Sequence, residues 1–151
     1  GLIGGAGILG LEPPEALSAA LDAPEQEAAA RALLNVLAAR VQPQPDAAFR
    51  AARLALYREG AIGTLMEWEQ VLLAQAYGAE QAHADLSAAR RFLLEDRNTA
   101  FLKRALPDLR AGGVFLSLGA FHLPGETGMI RLLRDAGFTV SRIPLTGEPA
   151  G

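Results

Sequence analysis

At 151 residues the chain is long enough for one domain with its own hydrophobic core. Its 14 basic and 17 acidic residues leave a net charge of −3 with no run of like sign, so no basic face is available to track a phosphate backbone, and nucleic acid is excluded as a partner. The absence of cysteine removes disulfides, thiolate nucleophiles and cysteine zinc sites, and no apolar run reaches the length of a membrane span.

Glycine at position 1, with methionine only at Met66 and Met129, points to a start cut from a longer chain. The opening holds a formal GxGxxG at Gly5, Gly7 and Gly10. That fingerprint requires a strand before the glycines and a helix opening at the third. Here Ile8 to Glu12 reads as a short strand, and Pro13-Pro14 starts the next helix too late, so the nucleotide reading is rejected.

Beyond the prolines, Leu17 and Leu21, then Ala30, Leu33, Leu34 and Leu37, recur at helical spacing. Pro24 opens the second of these segments and Val41-Gln42-Pro43-Gln44-Pro45 ends it. Asp46 is placed to cap a helix that carries Phe49, Ala52 and Leu56 and closes at Gly60. Ile62, Leu65, Met66, Leu72, Leu73 and Ala76 make another amphipathic face up to Tyr77-Gly78. A longer helix is predicted from about Ala79 to Ala105, stopping near Pro107. After Gly112-Gly113, Val114 to Leu118 is almost uniformly apolar, as in a strand covered on both faces. Thr127 to Ala136 reads as a helix ended by Gly137, and Phe138 to Ile143 alternates like a half-buried strand. One domain is therefore predicted over 1–143, with 144–151 as a loose tail.

Two places break these patterns. On the long helix an apolar stripe runs through Leu86, Leu93, Leu94, Phe101, Leu102 and Ala105, and the same face includes Arg97 and Asn98. A buried polar group left unsatisfied costs about 1–3 kcal/mol. Either these two meet partners or line a cavity, or Arg97 lays its stem along the core and pairs with Glu95 or another acidic neighbour at the surface. Arg90, Arg91 and Arg104 read as solvated helix charges, and His83 as an exposed helix residue.

The second place is Gly119 to Gly128, where the apolar strand gives way to a helix, the position at which open α/β sheets bind ligands. His122 there suits metal binding or general-base chemistry. Gly119 permits close backbone approach, and the amides after Glu126 suit an anion. A purely structural histidine fits the same position. Ser18, Ser87, Ser117 and Ser141 lack a nucleophile elbow, and Glu67 and Glu69 fall on opposite helix faces.

Taken together, Glu95-Asp96-Arg97-Asn98 with Phe101-Leu102, Val114 to Gly125, and Met129 to Val140 resemble the RN helix, the HLPG loop and the following helix of the TraB/PrgY/GumN family, which includes the Tiki metalloproteases. Ile8 to Glu12 is similar to the family's GLE strand, and Tyr57-Arg58-Glu59-Gly60 to its YxxGD turn. Phe101 stands where the family has Trp, and Ala61 where it has Asp.

The resemblance implies a helix-dominated α/β domain with a small sheet, of the erythromycin-esterase/ChaN-like (Tiki) type, its N-terminal portion absent. It also implies a metal-dependent, peptidase-type hydrolase built on two GxxH motifs, of which only Gly119 to His122 is present. His122 would be a metal ligand or acid/base, Arg97 and Asn98 orienters or oxyanion stabilisers, and Glu12 or Glu126 acidic partners beside Gly119. A divalent metal ion would be the cofactor and a peptide or small molecule the substrate. Export to the cell envelope is common among GumN-type relatives. The alternative is a ligand- or haem-binding module of the same fold.

The rejected glycine pattern gives a direct expectation. Titration with nicotinamide and flavin dinucleotides should show no saturable binding; micromolar affinity abolished by substituting Gly7 would reverse the rejection.

Overall fold

Glycines close the helices by a shared device. At Gly60 (φ +74°) the Gly60 amide donates to the Tyr57 carbonyl at 3.1 Å and Ala61 to Leu56 at 2.8 Å. At Gly137 (φ +93°) the same pair of bonds runs from Gly137 to Arg134 and from Phe138 to Leu133. Both are Schellman ends, which need a left-handed residue that glycine adopts without a Cβ penalty.

These stops belong to a computed structural model that describes residues 7–41 and 47–143. It contains helices α1 (Ala16–Leu21), α2 (Glu27–Val41), α3 (Ala47–Arg58), α4 (Ile62–Tyr77), α5 (Ala79–Arg90), α6 (Asp96–Ala111) and α7 (Met129–Asp135). Short 3-10 turns lie at Pro24–Gln26 and Ala120–His122, and a wide π-helical turn at Arg91–Glu95 joins α5 to α6. Among the described residues no helix is long and apolar enough to cross a membrane. Asp46, Gly5 of the opening glycine pattern and the tail from Pro144 lie outside the described residues.

α5 packs against both α2 and α4. The core there consists of Val36, Leu73, Ala82, Leu86 and Ala89. On α2 the buried positions are Ala32 and Val36, whereas Leu34 is 65% exposed and Leu37 also faces outward, contrary to the predicted leucine face. The small side chains of Ala32, Ala82 and Ala89 let the helix backbones approach closely, which leaves no room for the leucines between them. Arg90, predicted to be solvated, donates through Nη2 to the Met66 carbonyl at 2.9 Å and so ties α5 to α4.

The predicted sheet does not form. Among the described residues there is no strand, and the architecture is helical throughout, which corrects the α/β reading with its small sheet. Gly7–Gly10, residues 112–119 and residues 138–143 are extended or irregular and form no strand. Phe115, predicted to be covered on both faces, is 92% exposed. Apolar, β-branched composition identifies a segment that suits a pleated surface, but a strand exists only where a neighbour accepts its backbone hydrogen bonds. Among the described residues no such neighbour lies beside these segments.

The long helix also differs from its prediction. Pro107 lies inside α6, which runs on to Ala111. Proline there forfeits the hydrogen bond to the Lys103 carbonyl, on an exposed side of the helix where water can serve that group. The larger difference is the wide turn, whose Asp96 amide reaches back to the Arg91 carbonyl. Before it, the buried stripe is Ala82, Asp85, Leu86 and Ala89; within it, Phe92; after it, Asn98, Phe101 and Ala105. At about 100° per residue, an unbroken α-helix would carry Asn98 to the side opposite Ala89. The additional residue of the wide turn removes about 100° of that rotation and returns Asn98 to the packed side.

This packing separates two leucines of similar predicted weight. Leu86→Ala should cost about 2–4 kcal/mol in urea unfolding, and Leu34→Ala less than about 0.5 kcal/mol. Equal losses would show that α2 packs through the other face.

Candidate functional site

The wide turn presents Asn98 to the loop that follows residue 119. Asn98 is 2% exposed. Its Nδ2 donates to the His122 carbonyl at 3.2 Å and to the Thr127 carbonyl at 2.9 Å. Both amide hydrogens are thereby used, which fixes which end of the side chain is oxygen. Oδ1 then lies 2.6 Å from His122 Nδ1. An amide oxygen can only accept, so His122 carries its proton on Nδ1 and leaves the Nε2 lone pair free.

The loop itself is tightly folded. His122 donates its amide to the Gly119 carbonyl at 2.9 Å, Gly128 to Gly125 at 3.0 Å, and Ile130 back to Leu123 at 3.3 Å. A Cβ at Gly128 would overlap the carbonyl oxygens of Leu123 and Pro124, so only glycine fits there without moving backbone.

Next to Asn98 in sequence, Arg97 holds Glu12. Nε donates to Glu12 Oε2 at 3.1 Å, Nη2 donates to Oε1, and Nη1 donates to the Leu93 carbonyl at 3.0 Å. Arg97 thus meets the partners expected of a polar residue on this face, with Glu12 rather than Glu95 as the acidic one. The guanidinium carbon lies 5.3 Å from the centre of the Phe101 ring, and the Phe101 and His122 rings are 5.4 Å apart at 45°. Phe101 therefore bridges the arginine and the histidine. Arg104, predicted to be solvated, donates through Nε to the Gly10 carbonyl at 2.6 Å and helps hold the segment that carries Glu12.

Burial is the main cause that holds the His122 pKa below the ordinary imidazole value of 6.5; Arg97 lowers it further and Glu12 opposes the shift. The imidazole is thus kept neutral near pH 7, with one nitrogen committed to Asn98 and the other open.

Of the predicted site residues, Glu12, Arg97, Asn98, Gly119 and His122 are drawn into one cluster. Gly119 sits at the start of the turn that carries His122, and a Cβ on it would lie 3.6 Å from the ring. Glu126 goes elsewhere: it is exposed and pairs with Arg131 at 3.1 Å. The predicted helix from Thr127 begins only at Met129 and has seven residues, so the anion-facing amides expected after Glu126 are not provided by a helix of substance. Phe101 and Gly128 were missed as site residues; the aromatic at i+4 from Arg97 was the available signal for the first. Among the described residues no group of three or more His, Asp or Glu side chains could hold a metal ion. Both Glu12 oxygens are engaged by Arg97, leaving one imidazole nitrogen, short of the three protein ligands of a catalytic zinc site.

The charge arrangement predicts a titration. Arg97→Met should raise the His122 pKa and Glu12→Gln should depress it further, read by NMR of the ring protons. The unfolded chain takes up the proton first, so stability contributed by neutral His122 is complete above about pH 6.5 and lost as pH falls below it. A His122 that titrates at the ordinary value in all three proteins would contradict its burial.

No curated protein and no solved structure gives a significant match to the chain. The model of the TraB/PrgY/gumN family matches residues 4–142, which takes in Glu12, α6 and the His122 loop together. The chain belongs to the TraB/PrgY/gumN family.

Proposed function

We propose that the cluster is the acid/base half of a hydrolytic site of peptidase type, with His122 as the proton-transferring group. The observation that carries this reading is the Asn98 Oδ1···His122 Nδ1 contact at 2.6 Å, which directs a neutral imidazole outward through Nε2. Nε2 would take a proton from water as the oxygen attacks a carbonyl, and return it to the leaving amine. While the ring is doubly protonated, Nδ1–H stays on Asn98 and Glu12 supplies the nearest compensating charge. Asn98 acts as an orienter; its two N–H groups are used by backbone carbonyls and cannot serve an oxyanion.

A divalent ion, where one is used, would take Nε2 as a single ligand and need its other ligands from residues outside those described. It would supply a Lewis acid and a more acidic water. The described cluster does not accommodate it alone.

The 151-residue chain should bind divalent metal weakly and cleave no peptide. A longer chain that adds a second GxxH motif ahead of Gly1 should do both, and should lose both with His122→Ala. Metal analysis and a peptide-cleavage assay on each protein test this. Full activity in the 151-residue chain, or cleavage that survives His122→Ala, would show that the chemistry belongs to other residues.

A further inference from the structure

Asp85 is the one charged residue that is buried among the described residues, at 6% exposure. It occupies a core position of α5, between Ala82 and Ala89. Its Oδ2 accepts from Asn35 Nδ2 at 2.9 Å and its Oδ1 from Gln81 Nε2 at 2.8 Å. Both donors are neutral, and no ion pair to Asp85 occurs among the described residues. A carboxylate removed from water usually has a cation beside it, because neutral donors offset only part of the lost hydration.

A carboxylate offers about four acceptor positions, of which two are filled here. Asp85 also lines an open cleft of about 550 Å³ between α2 and α5, a volume within the usual range for small-molecule sites. Pro24, Ala28 and Ala32 give that cleft an apolar wall. Arg31, at its rim, is neutralised by Glu27 at 2.7 Å, so Asp85 alone sets the charge of the lining. Because Asn35 and Gln81 turn their nitrogens to Asp85, their amide oxygens remain as further acceptors.

We propose that this cleft binds a small organic cation, an ammonium or guanidinium group on a short alkyl stem, with Asp85 as its counter-charge. The amide oxygens of Asn35 and Gln81 complete the acceptor set for its N–H groups, and the apolar wall covers the stem. A divalent metal fits less well: the lining offers two carboxylates, one already paired with Arg31.

The test is an amide NMR titration of the 151-residue chain with n-butylammonium and n-butylguanidinium, using n-butanol as the neutral match and Mg²⁺ as the metal control. Both cations should give saturable shifts confined to residues 27–35 and 81–85, and the butanol and Mg²⁺ none. Asp85→Asn should weaken the binding at least tenfold. Ala28→Phe, an exposed position that fills the cleft without touching the core, should abolish it even if the Asp85 variant fails to fold. The proposal is overturned if neither cation saturates, if butanol or Mg²⁺ produces the same shifts, or if Ala28→Phe binds as the parent does.

Discussion

An asparagine amide has two hydrogens to donate and an oxygen to accept with, and at Asn98 all three groups are committed to one short loop. The hydrogens hold two backbone carbonyls, of His122 and Thr127, and the oxygen holds the imidazole of that same His122. The loop and its histidine are thus fixed by the same side chain. Aspartate there would lose both donors, and glutamine would need more room in a position closed to solvent. Few substitutions could preserve the orientation of the ring and the path of the loop at once.

Electrostatics then act on a ring already aimed. Arg97 is held along its Nε/Nη2 edge by Glu12 and through Nη1 by the Leu93 carbonyl, so its charge stays beside Phe101. Phe101 stands between the guanidinium and the neutral imidazole and covers the ring face. The combination of a shielded arginine, an opposing carboxylate and partial burial favours a neutral histidine able to take up a proton transiently.

The site was more legible in the sequence than the fold around it. Arg97 and Asn98 stood out because they interrupt an apolar stripe, and His122 because it lies in a loop between an expected strand and a helix; the strand is absent among the described residues, yet the cluster still forms between α6 and that loop. Helix ends at Gly60 and Gly137 were legible because their signal is local. The sheet was misread because Val114 to Leu118 shows the composition of a strand, while pairing depends on a second segment that composition cannot specify. The stripe is buried at Leu86 as expected, but an even helical period then passes through Leu93 and Leu94, which are half-buried, whereas Asp85, Ala89 and Phe92 are buried beside it. Asp85 escaped notice because a charged residue beside Gln81 and His83 looks like part of a solvated face until α2 is laid against it.

The wide turn at Arg91–Glu95 has a consequence for chain length. It absorbs one residue more than the two helix faces need, so a sequence shorter by one residue in this turn would form a regular α-helix and still point its asparagine at the histidine loop. A residue lost after Asn98 would find no such slack and would swing Phe101 and Ala105 off the packed side. Position-by-position comparison of chains of both lengths would therefore require a gap in the middle of a helix, a place where gaps are ordinarily refused, and refusing it would shift every residue on one side of the turn by one and set the arginine of one chain against the asparagine of the other.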